Sequence, residues 1–274
     1  MNLFHYTSAN ATRGMLINGE VWASKIQHLN DEKEYIQYIE HVERVGKSSF
    51  SKAVPEESSF LDDLYELTSS LMTANIFVTS FTEEGDLLSQ WRGYCPAGGY
   101  SIGLDVDELI PPIEGSGLYF SKAKYALPED VETKALLETA FRRYRPIYVD
   151  DPQNELRLSA FDEIANEIIR EGPRFKHPGF AEEREWRLHS PLLDWSDGRV
   201  DVVEIRGRLR PVIKVPLNLL KADQAGAACC RITKCIVSPG PDARLRREGL
   251  VVLLNKQKLS YDRVEISTTP YNPR

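Results

Sequence analysis

The segment Glu183-Arg184-Glu185-Trp186-Arg187-Leu188-His189 places two carboxylates, a guanidinium and an imidazole at alternate positions. Read as a strand, it sends Glu183, Glu185, Arg187 and His189 to one face and Arg184, Trp186 and Leu188 to the other. Pro178-Gly179 supplies a turn before it and Ser190-Pro191 a stop after it, which favours an isolated strand over a helix. Trp186 and Leu188 then point into a core. The polar face is either a solvated sheet surface, the ordinary place for charged groups, or the floor of a charged cleft with a carboxylate-centred site. Lys176, just upstream, either meets a phosphate or lies exposed.

Two further stretches carry reactive or ligand-binding side chains. Ser89-Gln90-Trp91-Arg92-Gly93-Tyr94 is a short helical stretch in which Gln90, Trp91 and Tyr94 fall at spacings of three and four, so they either pack into a core or line a ligand. His5, in a short first strand, either holds a ligand or satisfies a backbone carbonyl. Other chemistries find no support. There is no G-x-x-x-x-G-K-[ST], no G-x-G-x-x-G after a strand and no G-x-S-x-G, which argues against a P-loop, a dinucleotide-binding Rossmann unit and a serine hydrolase. The histidines His5, His28, His41, His177 and His189 form no H-E-x-x-H and no close pair, so no zinc or other metal site is expected.

The elements that must position these groups follow from local patterns. Leu3 to Thr7 reads as a strand, Ser8-Ala9-Asn10 as a helix cap, Ala11 to Ile17 as a brief helix stopped by Asn18-Gly19, and Val21 to Ser24 as a second strand. Asn30 or Asp31 caps a helix whose apolar stripe is Tyr35, Ile39 and Val42, and Asn30-Asp31-x-x-Glu34 is fully accounted for as that cap. A link from Lys47 to Ser59 leads to an amphipathic helix marked by Phe60, Leu61, Leu64, Leu67 and Leu71. Strands are expected at 76–81, 100–106 and 118–125, with a loop at Pro111-Pro112 and helices over 87–94, 128–144 and 154–170. After the Glu183 strand come strands at 200–206, 212–216 and 231–237, a helix over 242–256 and a last strand at 263–269. Strands at both ends with helices between them, and no regular strand–helix alternation, indicate a single α+β domain over 1–274 with helical insertions at about 31–73 and 128–171.

Composition bounds the setting. The chain has 274 residues, 42% of them hydrophobic and 27% charged, which is ordinary for a globular protein with a sizeable core. A net charge of -7 argues against coating nucleic acid, and the basic clusters Arg142-Arg143-Tyr144-Arg145, Arg206 to Arg210 and Arg244 to Arg247 read as solvated faces. Cys95, Cys229, Cys230 and Cys235 make no C-x-x-C pair and no disulfide scaffold. With no signal peptide and no membrane-spanning apolar run, a cytoplasmic protein without a membrane partner is expected.

Taken together, Phe4-His5-Tyr6-Thr7, Leu29-Asn30-Asp31-x-x-Glu34, Ser80-Phe81 with Ser89-Gln90-Trp91-x-x-Tyr94, Phe175-Lys176 with Glu183-x-Glu185-Trp186-Arg187, and Ser267-x-x-Pro270-Tyr271 resemble a bacterial family known only as a domain of unknown function. The order of an early strand histidine, a mid-chain strand backed by an aromatic-bearing helix, and a late E-x-E is also distantly similar to ADP-ribosyltransferases, which use NAD as a substrate. That resemblance implies a split, mixed or antiparallel sheet with helical insertions. It implies catalysis by Glu185, with Glu183 orienting the attacking nucleophile, and NAD contacts from His5, Tyr6, Ser80, Gln90, Trp91 and Tyr94. The implied activity is NAD-dependent ADP-ribosyl transfer, or NAD hydrolysis, by a toxin or phage-defence effector. Its partners would be an unidentified protein or nucleic-acid acceptor and a cognate antitoxin or defence component. Arg187 departs from this pattern, because pairing with either glutamate makes the E-x-E structural. A metal-dependent nuclease using Glu183, Glu185 and Lys176, and a non-catalytic interaction module binding through the polar strand face, are the alternatives.

Overall fold

The computed structural model describes residues 1–29, 32–107, 113, 115–205, 207–222 and 229–270. Asn30, Asp31, Pro111, Pro112, Arg206 and Tyr271, and with them the expected cap, proline loop and final tyrosine, lie outside the described residues.

β1 (Asn2–Thr7) leads into α1 (Ala9–Asn18), where the Ser8 hydroxyl accepts from Ala11 N at 3.4 Å. The helix ends at Gly19, whose φ of +67° lies in the left-handed region that favours glycine. β2 (Glu20–Lys25) precedes α2 (Glu32–Ser49) and α3 (Pro55–Met72). The link between these helices is shorter than the composition suggested. Pro55 starts α3, because its missing N–H is no loss in a first turn and Glu56 and Glu57 favour a helix N-terminus.

β3 (Phe77–Thr82), α4 (Leu88–Tyr94), β4 (Tyr100–Asp105) and β5 (Tyr119–Lys122) follow. α5 (Asp130–Asp150) continues past Pro146, beyond its expected end, and α6 (Asp162–Glu171) is preceded by a 3₁₀ stretch, Glu155–Phe161. β6 (Glu185–His189), β7 (Val200–Ile205), β8 (Arg208–Pro216), β9 (Arg231–Val237), α7 (Ala243–Lys256) and β10 (Tyr261–Ile266) complete the described elements. Among the described residues no helix is long and apolar enough to cross a membrane.

The fold is α+β, and its strands form one mixed, open sheet in the order β10-β9-β4-β1-β3-β2-β8-β7, with β6 on β3 and β5 on β6. β9 and β10 are parallel, whereas the other strand pairs are antiparallel. β3 has two strands on one of its edges. Its C-terminal residue Thr82 pairs with Phe4 of β1, while Phe77 and Val78 at its start pair with Lys25 and Ser24 of β2. β1 and β2 therefore diverge, and the sheet forks beside Thr79, Ser80 and Phe81. The opposite edge of β3 is fully paired with β6, from Val78 opposite His189 to Thr82 opposite Glu185.

Each face of the sheet is covered. Leu3, Phe77, Phe81 and Leu188 share a core with Met15 and Leu16 of α1 and Leu250 and Leu254 of α7, with Trp186 packed against it. On the other face α2, α3, α5 and α6, from the two stretches expected to be helical insertions, bury Ile39, Leu64, Leu137 and Ile164 together with Val78 and Phe175. Their solvent side carries Arg142, Arg143 and Arg145 exposed on α5, as the composition implied. A third, small cluster packs Phe4 and Tyr6 of β1 on Trp91 of α4 and on Cys95, which caps that helix.

Asp86 fixes α4 in place. Its carboxylate accepts from Trp91 Nε1 (2.7 Å), Thr269 Oγ1 (2.9 Å), Thr268 N (3.2 Å) and the Ser267 hydroxyl. The Ser267 motif is thus a clamp that ties the strand after α7 to the start of α4. Burial pushes the Asp86 carboxyl up, but these donors outweigh it and hold the group below the usual carboxylate range. Asp86→Ala, which strands several of these donors, is expected to lower stability by about 1–3 kcal/mol in urea unfolding.

Candidate functional site

β6 presents its side chains as alternation requires, with Trp186 and Leu188 in the apolar core and Glu185, Arg187 and His189 toward the helical layer. Glu183 is not part of this strand, in correction of the sequence reading. It closes the 3₁₀ stretch Pro178–Glu183, and Arg184 follows in the left-handed region at φ +42°. That turn reverses the chain locally. Arg184 is left at the surface, bridging Glu84, while Glu183 is buried near Glu185.

The polar face is not solvated. Arg187 is only 3% exposed, Glu185 2% and Lys176 0%. The helical layer covers them, so they can exist as ions only through mutual pairing. Arg187 Nε donates to Glu185 Oε1 (2.8 Å), and Nη2 donates to Glu34 Oε2 (2.8 Å) and Glu185 Oε2 (3.4 Å). Nη1 donates to the carbonyls of Pro173 (2.9 Å) and Phe175 (3.1 Å). All five guanidinium N–H groups are engaged. Lys176 Nζ lies 2.6 Å from Glu185 Oε2 and 2.9 Å from Glu183 Oε2, so Lys176 does not lie exposed but is held between two carboxylates.

Burial by itself drives the Glu185 carboxyl upward, but Arg187 and Lys176 reverse this and hold it at about 2. Burial pushes Glu34 up, and Arg187 with the His177 amide, which donates to Oε1 at 3.0 Å, pulls it part of the way back. His189 continues the face beyond Arg187, stacked on Tyr119 at 4.9 Å, with its Nε2 buried and unpaired. Burial lowers its imidazole to about 4.

One end of this network opens into the fork between β1 and β2. A cavity of about 370 Å³ lies there, lined among others by His5, Ser80, Gln90, Tyr94 and Glu185, with Arg210 on the β8 side. This volume is in the range of small-molecule sites. His5 Nδ1 lies 2.9 Å from the Ser80 carbonyl, so the ring bridges the gap where the strands part. Burial lowers the His5 imidazole below its ordinary range. The Ser80 hydroxyl makes no hydrogen bond to described residues. Tyr6 lines the cavity but its hydroxyl is committed, donating to the Glu84 carbonyl (3.0 Å) and accepting from Leu87 N (2.9 Å).

The structure therefore brings His5, Tyr6, Ser80, Gln90, Tyr94 and Glu185 to one cavity, and separates two of the expected residues from it. Trp91 is fully buried, edge-on to Tyr6 at 4.6 Å and bonded to Asp86, and it does not line the space. Glu183 is not on the cavity wall either. Sequence reasoning missed Glu34, which it took for part of a cap, and Arg210. The signal for Glu34 was its place beside Tyr35 on the buried stripe of α2; Arg210 gave none. Among the described residues no group of three His, Cys, Asp or Glu could hold a metal ion.

Removing one member of a buried ion network leaves its partners charged and desolvated. Arg187→Leu is expected to cost about 3–5 kcal/mol, read as loss of melting temperature, whereas Arg184→Ala on the surface should leave that temperature unchanged. The pH dependence has a defined sign. His189 is held below its ordinary value of 6.5, so between 6.5 and about 4 the unfolded chain takes up a proton that the folded chain refuses. Stability should fall on acidification through that window, and His189→Phe should flatten part of the fall in a melting series. The Glu185 contribution is complete above its ordinary 4.5 and is lost as the pH drops from there toward 2.

No curated protein and no solved structure matches the chain. Residues 90–188 match a family model described as protein of unknown function (DUF2971). The matched stretch includes Gln90, Tyr94, Lys176, Glu185 and Arg187, but not His5, Glu34 or Ser80. The matched stretch is about a third of the chain, and the remainder lies outside it.

Proposed function

We propose that the protein binds NAD in the forked cavity and cleaves its nicotinamide–ribose bond, passing ADP-ribose to a macromolecular acceptor or to water. The observation that carries this reading is the meeting of His5 from β1, Ser80 from β3 and Glu185 from β6 in one cavity. These residues are far apart in sequence, and each belongs to a role implied by the ADP-ribosyltransferase resemblance.

In that reading Glu185 is the catalytic residue although Arg187 pairs with it, because the pair leaves the carboxylate ionised and on the cavity wall, so a structural role and a catalytic one coexist. Its carboxylate is ionised at neutral pH, and three of its four lone-pair positions are occupied by Arg187 and Lys176. The remaining position on Oε1 accepts a ribose hydroxyl. As the C1′–N bond breaks, its electron pair goes to the nicotinamide nitrogen and cancels the pyridinium charge, while positive charge builds on the ribose. A fixed carboxylate stabilises that charge without reorganising, because Arg187 and Lys176 already hold it. An acceptor nucleophile then bonds to C1′ and releases its proton. Tyr94 supplies the aromatic wall, since Trp91 is enclosed in the core. Glu183, paired with Lys176 away from the cavity, has no part in orienting the acceptor.

The alternatives gain less. Lys176 and Arg187 occupy the carboxylates a nuclease metal would need, and the polar face of β6 is buried beneath the helices where no partner protein reaches it.

The test is incubation of the full chain with NAD, with and without cell extract, following free nicotinamide and labelled ADP-ribose. Glu185→Gln is expected to slow release by about 100- to 1000-fold. Because that variant also loosens Arg187, Ser80→Ala serves beside it, with a raised KM for NAD at an unchanged melting temperature. Unaltered release in Glu185→Gln, or neither release nor an NAD-dependent melting shift in the unmodified chain, would overturn the proposal.

A further inference from the structure

Gln90 is 6% exposed, yet its side-chain amide makes no hydrogen bond to any described residue and lines the forked cavity. An amide carries two N–H donors and a carbonyl acceptor, and on a largely buried side chain these are left to whatever occupies the cavity. Its neighbours indicate what. Gln90, Gly93 and Tyr94 share one face of α4, at spacings of three and four, and all line the cavity. At Gly93, which is exposed, an added Cβ would meet nothing within 4 Å, so the space beside this turn is open. The helix cannot swing away to satisfy Gln90 otherwise, because its far side is anchored through Trp91 to Asp86 and packed on Tyr6.

We infer that α4 forms a slot for a flat ring bearing a neutral carboxamide, with Gln90 reading the amide edge, Gly93 leaving room for the ring and Tyr94 flanking it. The inference rests on the reading that the forked cavity is the substrate site, and it assigns the nicotinamide end of the substrate to the α4 wall. An amide edge offers a donor and an acceptor side by side, which a glutamine matches with two hydrogen bonds. A carboxylate in the same place offers acceptors only and meets the negative charge of Glu185. Gln90 is thus a specificity residue that excludes the acid analogue of the same ring.

Calorimetric titration of the full chain with nicotinamide, benzamide and nicotinate tests this directly. Nicotinamide and benzamide are expected to bind, and nicotinate about 10- to 100-fold more weakly. Gln90→Met should weaken amide binding by about 10- to 100-fold and erase the preference over the acid. Gly93→Leu, which fills the slot and replaces a helix glycine by a better helix former, should abolish binding at an unchanged or raised melting temperature. Equal affinity for nicotinamide and nicotinate, no binding of either amide, or amide binding that survives both substitutions would overturn the slot. The outcome separates from that of the proposed reaction. Selective amide binding by a protein that neither binds nor cleaves NAD leaves the slot standing and removes the reaction. NAD cleavage with an unchanged KM in Gln90→Met does the reverse.

Discussion

The guanidinium of Arg187 joins three parts of the molecule that share no local sequence. Through Nε it holds Glu185 of its own strand, through Nη2 it reaches Glu34 in the first turn of α2, and through Nη1 it fixes the carbonyls of Pro173 and Phe175 at the end of the segment leaving α6. Enclosed as it is, this group could not remain charged on any one of these contacts. Desolvation of a buried cation is repaid only when its geometry is fully satisfied, and here every donor has a partner. The register of the helical layer on the sheet is therefore tied to one side chain.

Lys176 extends the same logic. It enters from the loop that Arg187 fixes and divides its charge between Glu183 and Glu185. Two cationic side chains, Lys176 and Arg187, thus face three carboxyl groups, Glu34, Glu183 and Glu185. Glu185 is the member of that cluster that also touches the forked cavity, so the network both orders the fold and presents an anion at the cavity wall. These roles are compatible: a carboxylate locked by two cations stabilises a developing positive charge without having to move.

The cavity itself comes from a conflict of pairing. β3 offers one edge to β1 and β2 at once, and each takes only an end of it. His5 covers part of the exposed backbone by facing the Ser80 carbonyl, and the remaining space is bounded by α1 and α4. The Asp86 clamp sets the position of α4, which explains why the Ser267 segment, far along the chain, belongs with the Gln90 region.

Local physics made much of this legible in the sequence. The Ser8 cap, the Gly19 stop, the buried stripe of Tyr35, Ile39 and Val42, and the alternation of Trp186 and Leu188 are short-range signals, and each matches the structure. The α+β class followed from their order. What the sequence could not determine was the fate of the charges. Glu34 and Arg187 are 153 positions apart, and no periodicity encodes a contact at that separation. Whether the face of Glu185 was wet or buried, whether Glu183 shared its strand, and which side of α4 faced a cavity all depended on where the helical layer settled. Only the tertiary structure decided these points, because a charged side chain is exposed by default and becomes buried when distant partners arrive to satisfy it.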